Sequence, residues 1–215
     1  ARRQRQMCIR DRDPRFALSI NYTAKDGKSS TKGFGDKSRD FLLTKVEYGS
    51  PTWQVSLAAA YKDGIDGANG YDSYYHSSLA SSASGEMTSY GLRAYWRPET
   101  SGAVPSVQVG YDTASFDDAT AGQAEETEGW MIGLNWNDLF MDGNTAGFAI
   151  GSEMAATEIK GGGTDPSEDN SVWEAYYTFK VNDGVSVTPA IFGGNDSFQA
   201  DDDTSGVVVT TAFKF

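Results

Sequence analysis

Apolar and polar residues alternate one for one through ten segments of about ten residues each, and no other feature constrains this chain so tightly. The segments are 15–24, 39–49, 52–62, 86–97, 104–113, 126–137, 145–155, 171–181, 185–194 and 206–215. Alternation with period two puts successive side chains on opposite faces of a β-strand, so each segment reads as a strand with one apolar and one wetter face. The last segment shows the pattern plainly. Val207, Val209, Thr211, Phe213 and Phe215 share one parity, and Thr210, Ala212 and Lys214 share the other. Strands of globular sheets usually run to about five or six residues. Ten residues at about 3.4 Å each, tilted by about 45°, rise about 24 Å, which matches the apolar band of an outer-membrane barrel. A soluble sandwich also alternates, so parity alone leaves both architectures open.

The connections separate them. Those at 49–51, 98–103, 138–144 and 182–184 are short, and those at 62–85, 114–125, 156–170 and 195–205 are long. Short turns at one end and long loops at the other are the habit of transmembrane β-barrels. The large rings follow the same division. On the apolar parity, Tyr48, Trp53, Trp96, Trp136, Phe179, Phe213 and Phe215 fall at the short-turn ends. Tyr22, Tyr61, Tyr90, Tyr111, Trp130 and Trp173 fall at the long-loop ends. Two aromatic belts around an aliphatic band are what a bilayer interface selects, whereas a soluble core places its largest rings in the middle. The expected fold is all-β, a transmembrane antiparallel up-and-down β-barrel. Neighbouring strands should pair in sequence order, with a hairpin across Asn182-Asp183-Gly184.

Composition removes several functions. The net charge of −12 argues against duplex nucleic acid as a partner. A lone histidine, His76, and a lone cysteine, Cys8, argue against a histidine-based metal site, a catalytic triad or an intrachain disulfide. No apolar run approaches the roughly 18 residues of a transmembrane helix, which leaves a barrel untouched because alternating strands barely register in hydropathy. Residues 1–13 stand apart, with five arginines, the only cysteine and no alternation. The stretch 4–12 resembles a translated sequencing-adapter scar, the alternative being a natural basic arm. The expected organisation is a non-native tail at 1–13 and the C-terminal part of a barrel at 14–215.

The turn Trp136-Asn137-Asp138-Leu139-Phe140-Met141-Asp142-Gly143-Asn144-Thr145-Ala146-Gly147 resembles a segment of the OprB-like porins. So does Trp173-Glu174-Ala175-Tyr176-Tyr177-Thr178-Phe179-Lys180-Val181-Asn182-Asp183-Gly184-Val185-Ser186-Val187-Thr188-Pro189-Ala190, followed by the terminal Phe. The likeness is strongest to cyanobacterial members. It implies a trimeric, water-filled channel of about sixteen strands in the bacterial outer membrane, of which this chain would be a C-terminal fragment with about six strands absent. It also implies passive diffusion of small hydrophilic solutes, carbohydrates or inorganic ions, without catalysis and without a cofactor. The expected partners are outer-membrane lipid, the solutes and two further copies in a homotrimer.

In such a barrel the polar parity lines the pore, and opposed charges there set the field that solutes meet. The residues expected on that lining are Lys45, Glu47, Lys62, Arg93, Arg97, Gln108, Asp112, Asn135, Glu153, Glu174 and Lys180. The acids of 201–203 and 63–70 have a calcium-loop flavour but read better as solvated loops. Gly161-Gly162-Gly163-Thr164 lacks the lysine of a phosphate loop. His76 near Asp72 is a weak hint of a surface protease. Two other architectures remain open: a complete ten-stranded barrel acting as a surface enzyme or adhesin, and a soluble glycan-binding β-sandwich.

Overall fold

The computed structural model describes residues 3–10, 15–24, 31, 40–65, 85–165, 168, 170–195 and 203–214, with the backbone alone at 3–10, 64 and 65. The strands are β1 (Arg3–Arg10), β2 (Phe16–Ala24), β3 (Asp40–Ser50), β4 (Trp53–Ile65), β5 (Gly85–Trp96) and β6 (Ser106–Phe116). They continue as β7 (Ala124–Asn137), β8 (Thr145–Gly151), β9 (Ala155–Ile159), β10 (Val172–Asn182), β11 (Val185–Gly194) and β12 (Thr204–Phe213). All twelve belong to one sheet whose order follows the chain, except that β9 pairs with β7 beside it. Each pairing is antiparallel. The expected meander is therefore present, and so is the hairpin at 182–184, where the Gly184 amide donates to Asn182 Oδ1 at 2.8 Å.

Register explains why these strands hold together in this order. Reading across the sheet, Leu18 faces Val46, Val46 faces Leu57, Leu57 faces Leu92, and Leu92 faces Tyr111. A parallel row runs Val55, Ala94, Val109, Ile132, Ile150 and Trp173. At the far end Ile191 faces Val207. Because the side-chain period is two, a one-residue slip anywhere would move a whole strand's apolar set to the other face.

Nothing among the described residues covers that apolar face. Leu57, Leu92 and Ile132 stand in mid-strand at 56%, 44% and 43% exposure. A sandwich would bury these positions under a second sheet, and the strands form only one. The fold therefore removes the sandwich. The buried core is small and sits at the long-loop end, where Met87, Ala114, Phe116, Ala124, Ala156 and Ile159 cluster.

Two strands exceed the ten expected. Arg3–Arg10 lies in the segment set apart as a tail, yet it pairs with β2 from Arg3↔Ala24 to Arg10↔Ala17. An exposed sheet edge offers unpaired backbone groups, which an extended segment satisfies whatever its side-chain pattern. The other addition is β9, which starts at the last residue of the expected strand 145–155 and runs on into the expected loop 156–170. Between the pairs Met131↔Gly151 and Glu128↔Ala155, β7 uses residues 129–130 while its partner uses residues 152–154. The extra residue is a β-bulge, which breaks the ladder and inverts parity beyond it. β9 then continues along β7 instead of ending in a loop. Among the described residues no ladder joins β12 to β1 or β2, so the sheet is not closed.

Candidate solute-facing wall

The polar face is built by the complementary parity of the same strands. Its pairs differ in kind from those of the apolar face. Arg93 on β5 faces Ser56 and Gly110, Gln108 on β6 faces Tyr95 and Gly133, and Asn135 on β7 faces Ser106 and Gly147. A large polar side chain meets a glycine on the next strand and lies across it. A Cβ on Gly110 would come within 3.0 Å of Arg93 Cδ, and one on Gly133 within 2.7 Å of Gln108 Nε2. On Gly147 it would come within 2.2 Å of the Tyr176 ring. The glycines are thus the space into which the polar wall folds flat.

The charges pair as they lie down. Arg93 binds Asp112 on β6 and also donates from Nη1 to the Tyr111 carbonyl at 3.2 Å. Lys45 and Glu47, two apart on β3 and so on one face, form an ion pair at 2.9 Å. Lys180 reaches Asp183 in the adjacent turn at 2.8 Å, and the lysine holds that carboxyl below its ordinary range. Tyr176 donates to Asn135 Oδ1 at 3.0 Å across the intervening Gly147. An open depression of about 230 Å³ results, lined by Glu47, Gln54, Ser56, Arg93, Tyr95, Gln108 and Met131. A second, of about 450 Å³, lies at the short-turn end against Arg97, Glu99, Ser101, Asn135, Asn137 and Asp138.

The structure places most of the expected lining residues on this face. Lys45, Glu47, Arg93, Gln108 and Asp112 gather around the first depression and its ion pairs, and Arg97 and Asn135 join the second. Lys62 faces Met87 near the long-loop end, and Glu174 stands between Ala149 and Phe192. Lys180 is drawn into the turn. Glu153 is the departure. It falls in the 152–154 bulge, outside the ladder, and is only 4% exposed. Simple alternation carries Glu153 to the wall, but the extra residue withdraws it into the packed long-loop end. Tyr95, Tyr176 and the glycine rows were missed. Their signal was present in the polar-parity glycines at 110, 133, 147 and 151, spaced to receive large neighbours.

The apolar face ends in rings. At the short turns Tyr48 meets Trp53 edge-on at 5.7 Å, and Trp53 faces Trp96. At the long-loop end Tyr22, Tyr61 and Tyr111 each hydrogen-bond a carboxylate on the next strand, Asp40, Glu86 and Glu128 respectively. A tyrosine suits such a level because its body is apolar and its tip needs a partner. Among the described residues no three histidines, cysteines or acids gather closely enough to hold a metal. His76, Asp72, Asp201, Asp202 and Phe215 lie outside the described residues.

A single meandering antiparallel sheet with one apolar face, one polar face and ringed rims is an all-β, up-and-down architecture, and among the described residues it stays open. The solved high-pH structure of Pseudomonas putida OprB has the same fold, with a TM-score of 0.58 and 13% identity. That likeness covers 97% of this chain and 57% of OprB. The uncharacterized protein alr4550 of Nostoc sp. is 27% identical over 213 residues, 91% of this chain. The chain spans only 36% of that relative's length. No family model matches the sequence.

Proposed function

We propose that this chain is part of the wall of an outer-membrane porin, a water-filled channel through which small hydrophilic solutes diffuse passively. One observation carries the reading: β2 to β8 and β10 to β12 keep most of their apolar residues on one face and their polar residues on the other, without a second layer among the described residues to cover the apolar side. Lipid is the medium that makes such a face favourable, and water is the medium that suits the other. The paired charges, the amides and Tyr95 around the depression favour polar solutes, either carbohydrates or inorganic ions. Lys45, Glu47, Lys62, Arg93, Arg97, Gln108, Asp112, Asn135, Glu174 and Lys180 are the side chains a solute would meet. Diffusion through such a wall needs neither catalysis nor a cofactor.

Unpaired strand edges are costly in lipid, where each unsatisfied backbone group costs several kcal/mol. We therefore read 14–215 as one arc of a larger barrel closed by strands beyond this sequence, with residues 1–13 as a non-native tail. The larger sizes of OprB and of the Nostoc relative support that reading. On the resemblance of 136–147 and 173–190 to OprB-like porins, we read the protein as cyanobacterial in type and as assembling into a homotrimer. Short turns would face the periplasm and long loops the outside. Single-channel recording of the full-length protein in planar bilayers, with sugars set against salts, tests the function. Stepwise conductance blocked or carried by these solutes is expected, and a protein that inserts without conductance would exclude a porin. Epitope tags at Ala68 and Ser50 on intact cells test the orientation, with only the first expected to be reached.

A further inference from the structure

The turn between β7 and β8 presents two large apolar side chains to the outside of the fold. Phe140 is 87% exposed and Met141 67%. Chance exposure of a mobile loop does not describe them, because the turn is tightly built. Asp138 Oδ1 accepts from the Gly143 amide at 2.7 Å, and the Tyr177 hydroxyl donates to the Leu139 carbonyl at 2.8 Å. Asn144, buried, donates from Nδ2 to the Tyr177 hydroxyl at 3.0 Å, and its Oδ1 accepts from the Lys180 amide at 2.9 Å. This network holds Phe140 at φ +66°, a left-handed backbone that a bulky side chain rarely adopts. Strain of that kind persists only where the surroundings over-determine it.

The direction of the ring shows what the strain accomplishes. Phe140 stacks on Tyr177 with centroids 6.4 Å apart, and Tyr177 in turn meets Phe179 at 4.6 Å. Tyr177 and Phe179 stand on the apolar parity of β10, so Phe140 continues that face past the end of the strands. Two side chains by themselves fall short of a standard protein interface of about 800 Å² from each side, whereas they extend an apolar face that is already uncovered. It is flanked by Asp138 and Asp142, which fits a place where apolar and wet surroundings meet. We infer that Phe140 and Met141 are an interfacial anchor that inserts into the phospholipid leaflet at the short-turn rim. The inference rests on the reading of the sheet as a membrane wall.

The test uses the full-length protein freed of its native cysteines, carrying one new cysteine at a time at Phe140, Met141, Leu134 or Asp142 and labelled with an environment-sensitive fluorophore. The vesicles are phosphatidylethanolamine and phosphatidylglycerol with nitroxide lipids, and heat-modifiable migration selects folded protein. Labels at 140 and 141 should lose most of their emission to nitroxides near the headgroup. The label at 134 should be quenched by nitroxides near the bilayer centre, and the label at 142 by neither. Labels at 140 and 141 that behave like the one at 142, while 134 is quenched, would overturn the anchor and leave the membrane wall standing. Disulfide cross-linking between copies at 140 without lipid quenching would assign the knob to a second copy instead. An unquenched label at 134 would remove the membrane wall and the anchor together.

Discussion

The two faces of this sheet solve neighbour packing in opposite ways. On the apolar face, large meets large: Leu57 faces Leu92, Trp53 faces Trp96, and Ile132 faces Ile150. On the polar face, large meets glycine: Arg93 faces Gly110, Gln108 faces Gly133, and Tyr176 faces Gly147. The apolar side chains stand out from the sheet with nothing among the described residues laid over them. The polar ones are laid across the wall, where Arg93 pairs with Asp112 and Lys45 with Glu47. The comparison teaches that the apolar face is specified by chemistry, where a volume change is tolerated and a charge is not. The polar face is specified by shape, where a charge change is tolerated and added volume is not.

Several substitutions would break or sharpen this contrast, beginning with the largest effect. Leu134→Arg should destabilise the folded protein in lipid by about 2–4 kcal/mol, the cost of a cation at the bilayer midplane. Met131→Arg, on the opposite face, should refold normally and alter conductance. Denaturant titrations of both in the same vesicles decide the matter, and equal losses would mean the faces are misassigned. Next comes added volume. Gly147→Val places a Cβ about where the Tyr176 ring lies, 2.2 Å from its Cε1. The expected cost is about 1–3 kcal/mol, recovered in part when Tyr176→Ala is combined with it. Failure of the second substitution to rescue the first would detach the glycine from its neighbour.

A smaller effect is expected from charge alone. Arg93 and Asp112 are both well exposed, at 49% and 37% of their side chains, so Asp112→Asn should change stability by no more than about 1 kcal/mol. It leaves the Arg93 charge uncompensated, and reversal potentials should move toward anion preference. An unchanged selectivity would place the pair away from the solute path. The smallest effect is that of pH on the turns. Asp138, held by Ser101 and the Gly143 amide, and Asp183, held by Lys180, both ionise below the ordinary carboxylate range. A depressed carboxyl stabilises the fold above its unfolded pKa of about 4, and this is lost as pH falls through the lower folded value. Hydrogen exchange at the Gly143 amide, which donates to Asp138, should therefore show protection at pH 5 that disappears, locally, only in stronger acid. Loss of protection near pH 6 would contradict the assignment.

Much of this molecule was determined by its sequence alone. Period-two alternation, read residue by residue, placed the ten long strands to within about three residues at nearly every end, because one face of each must meet one medium. The order of pairing and the ringed rims followed from the same rule, since short turns can only join antiparallel neighbours. Only the tertiary structure decided the rest. Alternation has no means of announcing an extra residue, so the bulge at 152–154 took Glu153 from the wall and turned an expected loop into β9. Nor does it say which lysine will meet which acid. Arg93 and Asp112 are nineteen apart in the chain and become partners through the register of β5 on β6. The polar glycines look idle in the sequence until the next strand lays a side chain over them. The left-handed Phe140 is likewise invisible there, because its backbone is set by Asn144 and Tyr177 from outside the turn's own preferences. Patterns that belong to one strand are written locally, whereas contacts between strands exist only once the register has been fixed.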